Sequence, residues 1–211
     1  MIRRVYEQAL QSATLYQVVV ATDDARIYDE VVSFGGKVIM TSEGHHNGTE
    51  RCAEVLEKLG EEVDAVINIQ GDEPFIHPEQ IDTVAALFSD PQCQIATLIK
   101  ECNDMATLEK PSIIKATVDR YFKALYFSRS VIPYLRNNTT HTFYKHIGIY
   151  GYRADILREI VSLHPSSLEI AESLEQLRWL ENGYTIHTAL TQYESISIDV
   201  PEDLNRVKGL I

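Results

Sequence analysis

Apolar residues recur along this chain with two periods, and the way those periods alternate predicts the fold. Ile2, Val5, Tyr6, Ala9 and Leu10 fall on one face of a helix. Val18-Val19-Val20-Ala21 predicts a short buried strand, with Asp23 or Asp24 placed to cap the next helix. That helix turns Ile27, Tyr28, Val31 and Val32 inward and stops at Gly35-Gly36. Val38-Ile39-Met40 predicts another strand. Asn47-Gly48-Thr49-Glu50 has the spacing of a capping box and opens a helix carrying Cys52, Val55, Leu56 and Leu59. A strand from Ala65 to Gln70 and a helix from about Pro78 follow. Helix and strand alternate as in a three-layer, doubly wound α/β fold with a mostly parallel sheet.

Beyond Ile95-Ala96-Thr97-Leu98-Ile99 the pattern changes. Ile113 to Val118 and Lys123 to Phe127 are extended runs joined by Asp119-Arg120-Tyr121-Phe122, a predicted hairpin in the second half. Arg136 to Thr140 is a polar loop. Ile147 to Tyr152 is a strand whose glycines permit close backbone approach. Ser166-Ser167 opens one long helix with Leu168, Ala171, Leu174 and Leu177 inward, ended by Gly183. Strands at Thr185 to Leu190 and Ser195 to Ile198 and a short helix from Pro201 complete the chain. There is no internal repeat, linker or low-complexity segment, so residues 1–211 are read as a single domain.

Composition narrows the partners. Lys and Arg total 19 against 31 Asp and Glu, a net charge of -12, and so acidic a surface repels nucleic acid and anionic membrane. No apolar run approaches the length that inserts into a bilayer, and the opening residues show no signal-peptide pattern. Cys52, Cys93 and Cys102 form no CxxC pair and read as reduced thiols of a cytoplasmic protein. His45 and His46 are adjacent on an extended loop and point apart, so they are not read as a metal pair.

The candidate chemistry lies at the end of the strand before Pro78. Ile67-Asn68-Ile69 stops at Gln70-Gly71-Asp72-Glu73-Pro74, which delivers carboxylates to the carboxyl edge of a sheet, where α/β folds bind ligands. A short acid there suits a hard cation beside a phosphate. Asp199 also follows a strand and can reach the same edge. From spacing alone, Asp72 reads equally well as a turn residue and Asp199 as an N-cap before Pro201. Lys115 can approach a phosphate, although a solvated strand lysine is the simpler reading.

Six blocks carry a resemblance: Asn47-Gly48-Thr49-Glu50-Arg51, Gln70-Gly71-Asp72-Glu73-Pro74, Tyr126-Phe127-Ser128-Arg129-Ser130, His146-Ile147-Gly148-Ile149-Tyr150-Gly151-Tyr152, Leu174-Glu175-Gln176-Leu177-Arg178 and Asp199-Val200-Pro201-Glu202-Asp203-Leu204. In order and spacing they resemble the 3-deoxy-manno-octulosonate (Kdo) cytidylyltransferase family along essentially the whole chain. The resemblance implies a sheet of the nucleotide-diphospho-sugar transferase type. It also implies cytidylyl transfer from CTP to the sugar acid Kdo, with pyrophosphate released and the product feeding lipopolysaccharide assembly. By the same resemblance Asp72 and Asp199 are the catalytic acids and Mg²⁺ ligands. Gln70, Arg129, His146, Tyr150, Glu175 and Gln176 attend the sugar acid, and Gly48 and Thr49 lie near the nucleotide base. Read without it, Gln70 is a strand-end amide, His146 a structural histidine, and Glu175 and Gln176 an exposed helical pair. A homodimer through the second half, near Lys123 to Phe127, is also implied.

Family members carry, ahead of the first helix, a strand and a basic loop that cradles the triphosphate. This chain opens on the helix, so Met1 is read as an internal methionine, with activity of the chain as given left open. A related acid such as a sialic acid is the alternative substrate, and an inactive relative the alternative class.

Overall fold

The computed structural model describes residues 1–137, 139–194, 196–198 and 203, and it shows an α/β protein with a two-stranded parallel sheet and a six-stranded mixed sheet. The chain divides into two compact units, one of residues 1–62, 68–82 and 194–211, the other of 63–67 and 83–193.

The first unit runs α1 (Ile2–Ala9), β1 (Val20–Thr22), α2 (Ala25–Ser33), β2 (Val38–Met40) and α3 (Gly48–Leu59). β1 and β2 pair in parallel, Val20 opposite Val38. Asp24 caps α2 by accepting from the Arg26 amide, one of the two caps expected. Of the residues expected inward on α2, Val31 is buried, whereas Ile27 and Val32 are exposed. Leu10 likewise lies past the end of α1 and is exposed. Each sits off the narrow face centred on Val5, Ala9 and Val31, because an eight- or nine-residue helix buries only one stripe. Asn47 caps α3 by accepting from the Glu50 amide at 2.8 Å. Only half of the expected capping box forms, because the Glu50 carboxylate accepts from the His46 amide instead, at 2.9 Å.

Residues 65–68 form β3 (Ala65–Asn68), and α4 (Pro78–Leu87) follows the acidic turn. The second unit contains β4 (Ile95–Glu101), α5 (Met105–Leu108), β5 (Lys115–Val118), β6 (Ala124–Ser128), β7 (Tyr144–Arg153), α6 (Ala154–Ile160), α7 (Ser167–Glu172), α8 (Glu175–Glu181) and β8 (Ile186–Leu190). Its sheet has the order β6-β5-β7-β4-β8, with β3 also paired to β7. β4 is antiparallel to β7 and parallel to β8. Ile95 through Ile99 are all fully buried, as befits a strand covered on both faces. Gly151 on β7 lets α4 approach: a Cβ there would lie 2.8 Å from Val84 Cγ1 and 2.6 Å from Phe88 Cε2.

The expected hairpin is β5 and β6, paired antiparallel. Asp119 pins its turn by accepting from the Tyr121 and Lys123 amides at 2.7 and 2.9 Å, which offsets the left-handed φ of 59° at Phe122.

Three expectations are corrected. The single helix from Ser166 is two helices, α7 and α8, because Ser173 turns left-handed (φ 51°, ψ 52°) between them. A part-buried bidentate pair holds them together, with Arg178 donating to Glu169 at 2.5 and 2.7 Å. Lys115 is neither solvated nor aimed at a phosphate; it is fully buried, and its Nζ donates to the carbonyls of Lys110, Ile113 and Arg129. Burial lowers its pKa. Residues 196–198 are not assigned to a strand, and the expected helix from Pro201 lies outside the described residues apart from Asp203, which is helical.

Among the described residues no helix is long and apolar enough to cross a membrane, and none of the three cysteines forms a disulfide. Burial pushes the Cys93 thiol up to about 12, which leaves it inert.

Candidate functional site

In the first unit the candidate residues gather where β3 ends and α3 begins. Gly48 opens α3 with its Cα against two side-chain amides: a Cβ there would lie 2.9 Å from Asn68 Nδ2 and 3.4 Å from Gln70 Nε2. Glycine is therefore required for this close approach, and Gly48 and Gln70 are brought together. Thr49 is buried beside it, at 1 % exposure. Asp72 is half-buried in the turn after β3, with Glu73 and Pro74 buried behind it. The amide of Ile198 donates to the Asp72 carbonyl at 2.9 Å. Asp199 itself lies outside the described residues.

Sequence reasoning missed the residues that brace this edge. Arg51, one turn into α3, donates to Asp23 at 2.9 Å and to Thr41 Oγ1 at 2.5 Å, tying together the carboxyl ends of β1 and β2. His45 lies between the carboxylates of Glu50 and Glu54. The Lys58 ammonium, with the Ser42 amide and His45, holds the Glu54 carboxyl down at about 2. Among the described residues no group of three or more His, Cys, Asp or Glu is placed to hold a metal ion. A magnesium site needs only one or two carboxylates with substrate phosphates and water, so Asp72 with one further acid fits such an ion.

In the second unit the candidates gather on β7 and α8. On a regular strand, His146 and Tyr150 would stand about 13 Å apart. Their ring centroids are 5.2 Å apart. A bulge in β7 closes the gap: adjacent Thr97 and Leu98 on β4 face Tyr150 and Ile147, which are three residues apart. Phe127 packs edge-on to His146 at 5.2 Å, and Trp179 of α8 meets Tyr150 edge-on at 5.1 Å. Desolvation among these rings drives the His146 imidazole down to about 3, so the ring is neutral at physiological pH. Desolvation, then the neighbouring Tyr152 and Glu175, raise the Tyr150 phenol well above its usual value, so it keeps its proton. Among the described residues the buried Tyr150 hydroxyl and Trp179 indole N–H have no hydrogen-bond partner. Orphaned polar atoms at a candidate site are the ones a ligand would satisfy.

Glu175 and Gln176 open α8, and Gln176 is buried at 5 % exposure, not an exposed helical residue. Arg129 donates from Nε to Glu172 O, from Nη1 to Pro111 O and from Nη2 to Ser173 O, at 2.6, 3.0 and 3.2 Å. It thereby satisfies the carbonyls freed where α7 ends, and among the described residues two of its five N–H groups remain. Thr97 is the residue of this cluster that sequence reasoning passed over. Its signal was a lone hydroxyl inside a fully buried apolar strand.

A mixed α/β sheet with acids at a strand end, and a polar-lined aromatic cluster apart from them in sequence, defines a nucleotidyltransferase-like protein. The family model for cytidylyltransferases matches residues 1–191, and the chain belongs to that family. It is 52% identical over 221 residues to the 3-deoxy-manno-octulosonate cytidylyltransferase of Parabacteroides distasonis, covering all of this chain and 87% of that one. The protein of the same name from Cytophaga hutchinsonii is 53% identical, covering 98% of this chain and 85% of its own. Among solved structures, the chain resembles a CMP:2-keto-3-deoxy-manno-octonic acid synthetase complexed with CTP, at a TM-score of 0.93 and 44% identity, covering 99% of this chain and 86% of that one. A 4-diphosphocytidyl-2C-methyl-D-erythritol synthase from Anaerococcus prevotii shares the fold at a TM-score of 0.62 and 10% identity.

Proposed function

We propose that this chain transfers the cytidylyl group of CTP to Kdo, forming CMP-Kdo and releasing pyrophosphate. The observation that carries the proposal is the match, at a TM-score of 0.93 and 44% identity, to a synthetase of that sugar nucleotide complexed with CTP. In this reading residues 1–211 act as one cytidylyltransferase domain in the cytoplasm, on the way to lipopolysaccharide.

The roles follow from chemistry. Gly48 and Thr49 admit the nucleotide at the start of α3, where Gly48 leaves room beside Gln70. Asp72 and Asp199 hold Mg²⁺. What supports the pairing is that Ile198, the covalent neighbour of Asp199, is hydrogen-bonded to Asp72. The ion supplies charge neutralisation at the α-phosphate, which is most of what phosphoryl-type transfer asks of a protein. His146, Tyr150, Gln176 and Glu175 bind the hydroxyls of the sugar acid through neutral or acceptor groups, and the remaining donors of Arg129 serve its carboxylate. The exposed Tyr121, Phe122 and Leu125 of the hairpin form the apolar face of a homodimer.

A pyrophosphate-release assay with CTP and Mg²⁺ tests the activity, with Kdo and a sialic acid as alternative acceptors. Turnover with Kdo is expected; turnover only with the sialic acid, or with neither, contradicts it. Light scattering checks the dimer, and a monomer at micromolar concentration refutes that part.

A further inference from the structure

We infer that Thr97 is a positioning residue that fixes His146 as the Nε2–H tautomer, so that the imidazole presents a bare Nδ1 and accepts a hydrogen bond from a sugar hydroxyl. The inference rests on the proposed sugar-acid role of His146 and Tyr150 and deepens it.

A threonine hydroxyl has one proton to give and two lone pairs to offer. Thr97 Oγ1 lies 2.7 Å from the Ile149 carbonyl, 3.3 Å from the Ile147 carbonyl and 2.9 Å from His146 Nε2. Carbonyl oxygens only accept, so the one proton goes to Ile149, the nearer of the two. The remaining contact is satisfied only if Nε2 carries a hydrogen and donates it to Thr97. The ring is neutral, so Nδ1 then carries none. Both carbonyls belong to the bulge that folds Tyr150 back against His146, and Thr97 is fully buried beneath them. One hydroxyl thus ties the bulge to the tautomer.

This changes what the cluster reads. A neutral imidazole with a bare Nδ1 is no partner for the substrate carboxylate; it requires a donor. The neighbouring Tyr150 hydroxyl keeps its proton and has no hydrogen-bond partner among the described residues. An acceptor ring packed against a donor ring, their centroids 5.2 Å apart, matches a sugar hydroxyl, which donates to one and accepts from the other. His146 is in this account a specificity residue for hydroxyl groups, and charge recognition belongs elsewhere.

The test is ¹⁵N NMR of the histidine rings in the wild type, with His146 assigned through His146→Gln, together with steady-state kinetics of Thr97→Val and Thr97→Ser. The expected wild-type spectrum shows His146 protonated at Nε2. Thr97→Val should mix the tautomers and raise the KM for Kdo about tenfold, with the KM for CTP unchanged, as for one lost hydrogen bond. Thr97→Ser should restore both readings. A wild-type His146 protonated at Nδ1, or a Thr97→Val enzyme with unchanged KM for Kdo, overturns the inference. Should Thr97→Val fail to fold, the wild-type spectrum and Thr97→Ser decide it: a serine variant with altered tautomer or raised KM refutes the hydroxyl as the cause. A wild type with the Nε2–H signal but no turnover of CTP with Kdo overturns the functional reading instead, and the substrate role of His146 with it.

Discussion

At the strand ends of the first unit polar side chains are paired with one another or with backbone, whereas around His146 in the second unit the Tyr150 hydroxyl and the Trp179 indole N–H sit among aromatic rings with no hydrogen-bond partner among the described residues. Arg51 bridges Asp23 and Thr41, and His45 lies between two glutamates. Tyr150 and Trp179, by contrast, bury a hydroxyl and an indole N–H unsatisfied. The difference is instructive because the two arrangements suit different ligands. A charged edge suits an ion and phosphates, whose recognition is mainly electrostatic. A dry cluster with orphaned neutral groups suits hydroxyls, where each unmet bond penalises the wrong shape.

Breaking the aromatic cluster should have the largest effect on stability. Trp179→Ala removes a fully buried ring that contacts Tyr150 and Tyr152, and about 3–5 kcal/mol of stability should be lost in urea unfolding. The polar edge should behave differently. Asp72→Asn should leave the melting temperature within a few degrees while turnover falls by about 10²-fold or more, since several kcal/mol of charge stabilisation is lost. Tyr150→Phe sharpens the contrast further. Removing an unsatisfied buried hydroxyl should leave stability unchanged or raise it by about 1 kcal/mol, while the KM for Kdo rises about tenfold. A variant destabilised and unaltered in KM would mean that the hydroxyl serves the fold.

The smallest effects separate the regions by pH. The unfolded imidazole of His146 titrates near 6.5 and the folded one near 3, so between these values the unfolded chain binds more protons. Its contribution is complete above 6.5 and is lost as pH falls toward 3. The Glu54 carboxyl shifts from 4.5 to about 2, so its contribution is lost only below about 4.5. Melting temperatures from pH 7 to 5 should therefore fall less steeply in His146→Gln than in the wild type, and should keep the wild-type slope in Glu54→Gln.

Much of the first unit was legible in the sequence because its signals are local. Asp24 and Asn47 announce their helices through capping chemistry, and Gly71-Asp72 announces the end of a strand. What was not legible depends on partners distant in sequence. The break between α7 and α8 is stabilised by Arg129, more than forty residues away, which takes up the carbonyls that Ser173 frees. Lys115 reads as a solvated strand lysine until three carbonyls close around it. Even spacing placed His146 and Tyr150 on one face, but only the bulge opposite Thr97 brings their rings into contact. The capping-box pattern at Asn47 was half right, because Glu50 found the His46 amide first.

The proposed function divides the labour, with the acidic strand end serving nucleotide and ion and the aromatic cluster serving the sugar acid. Crossed isothermal titrations of Asp72→Asn and Tyr150→Phe test it most directly. Asp72→Asn should weaken Mg²⁺-CTP binding and leave Kdo binding at the wild-type value, and Tyr150→Phe should do the reverse. Either variant losing both ligands equally, or losing the opposite one, would contradict the account.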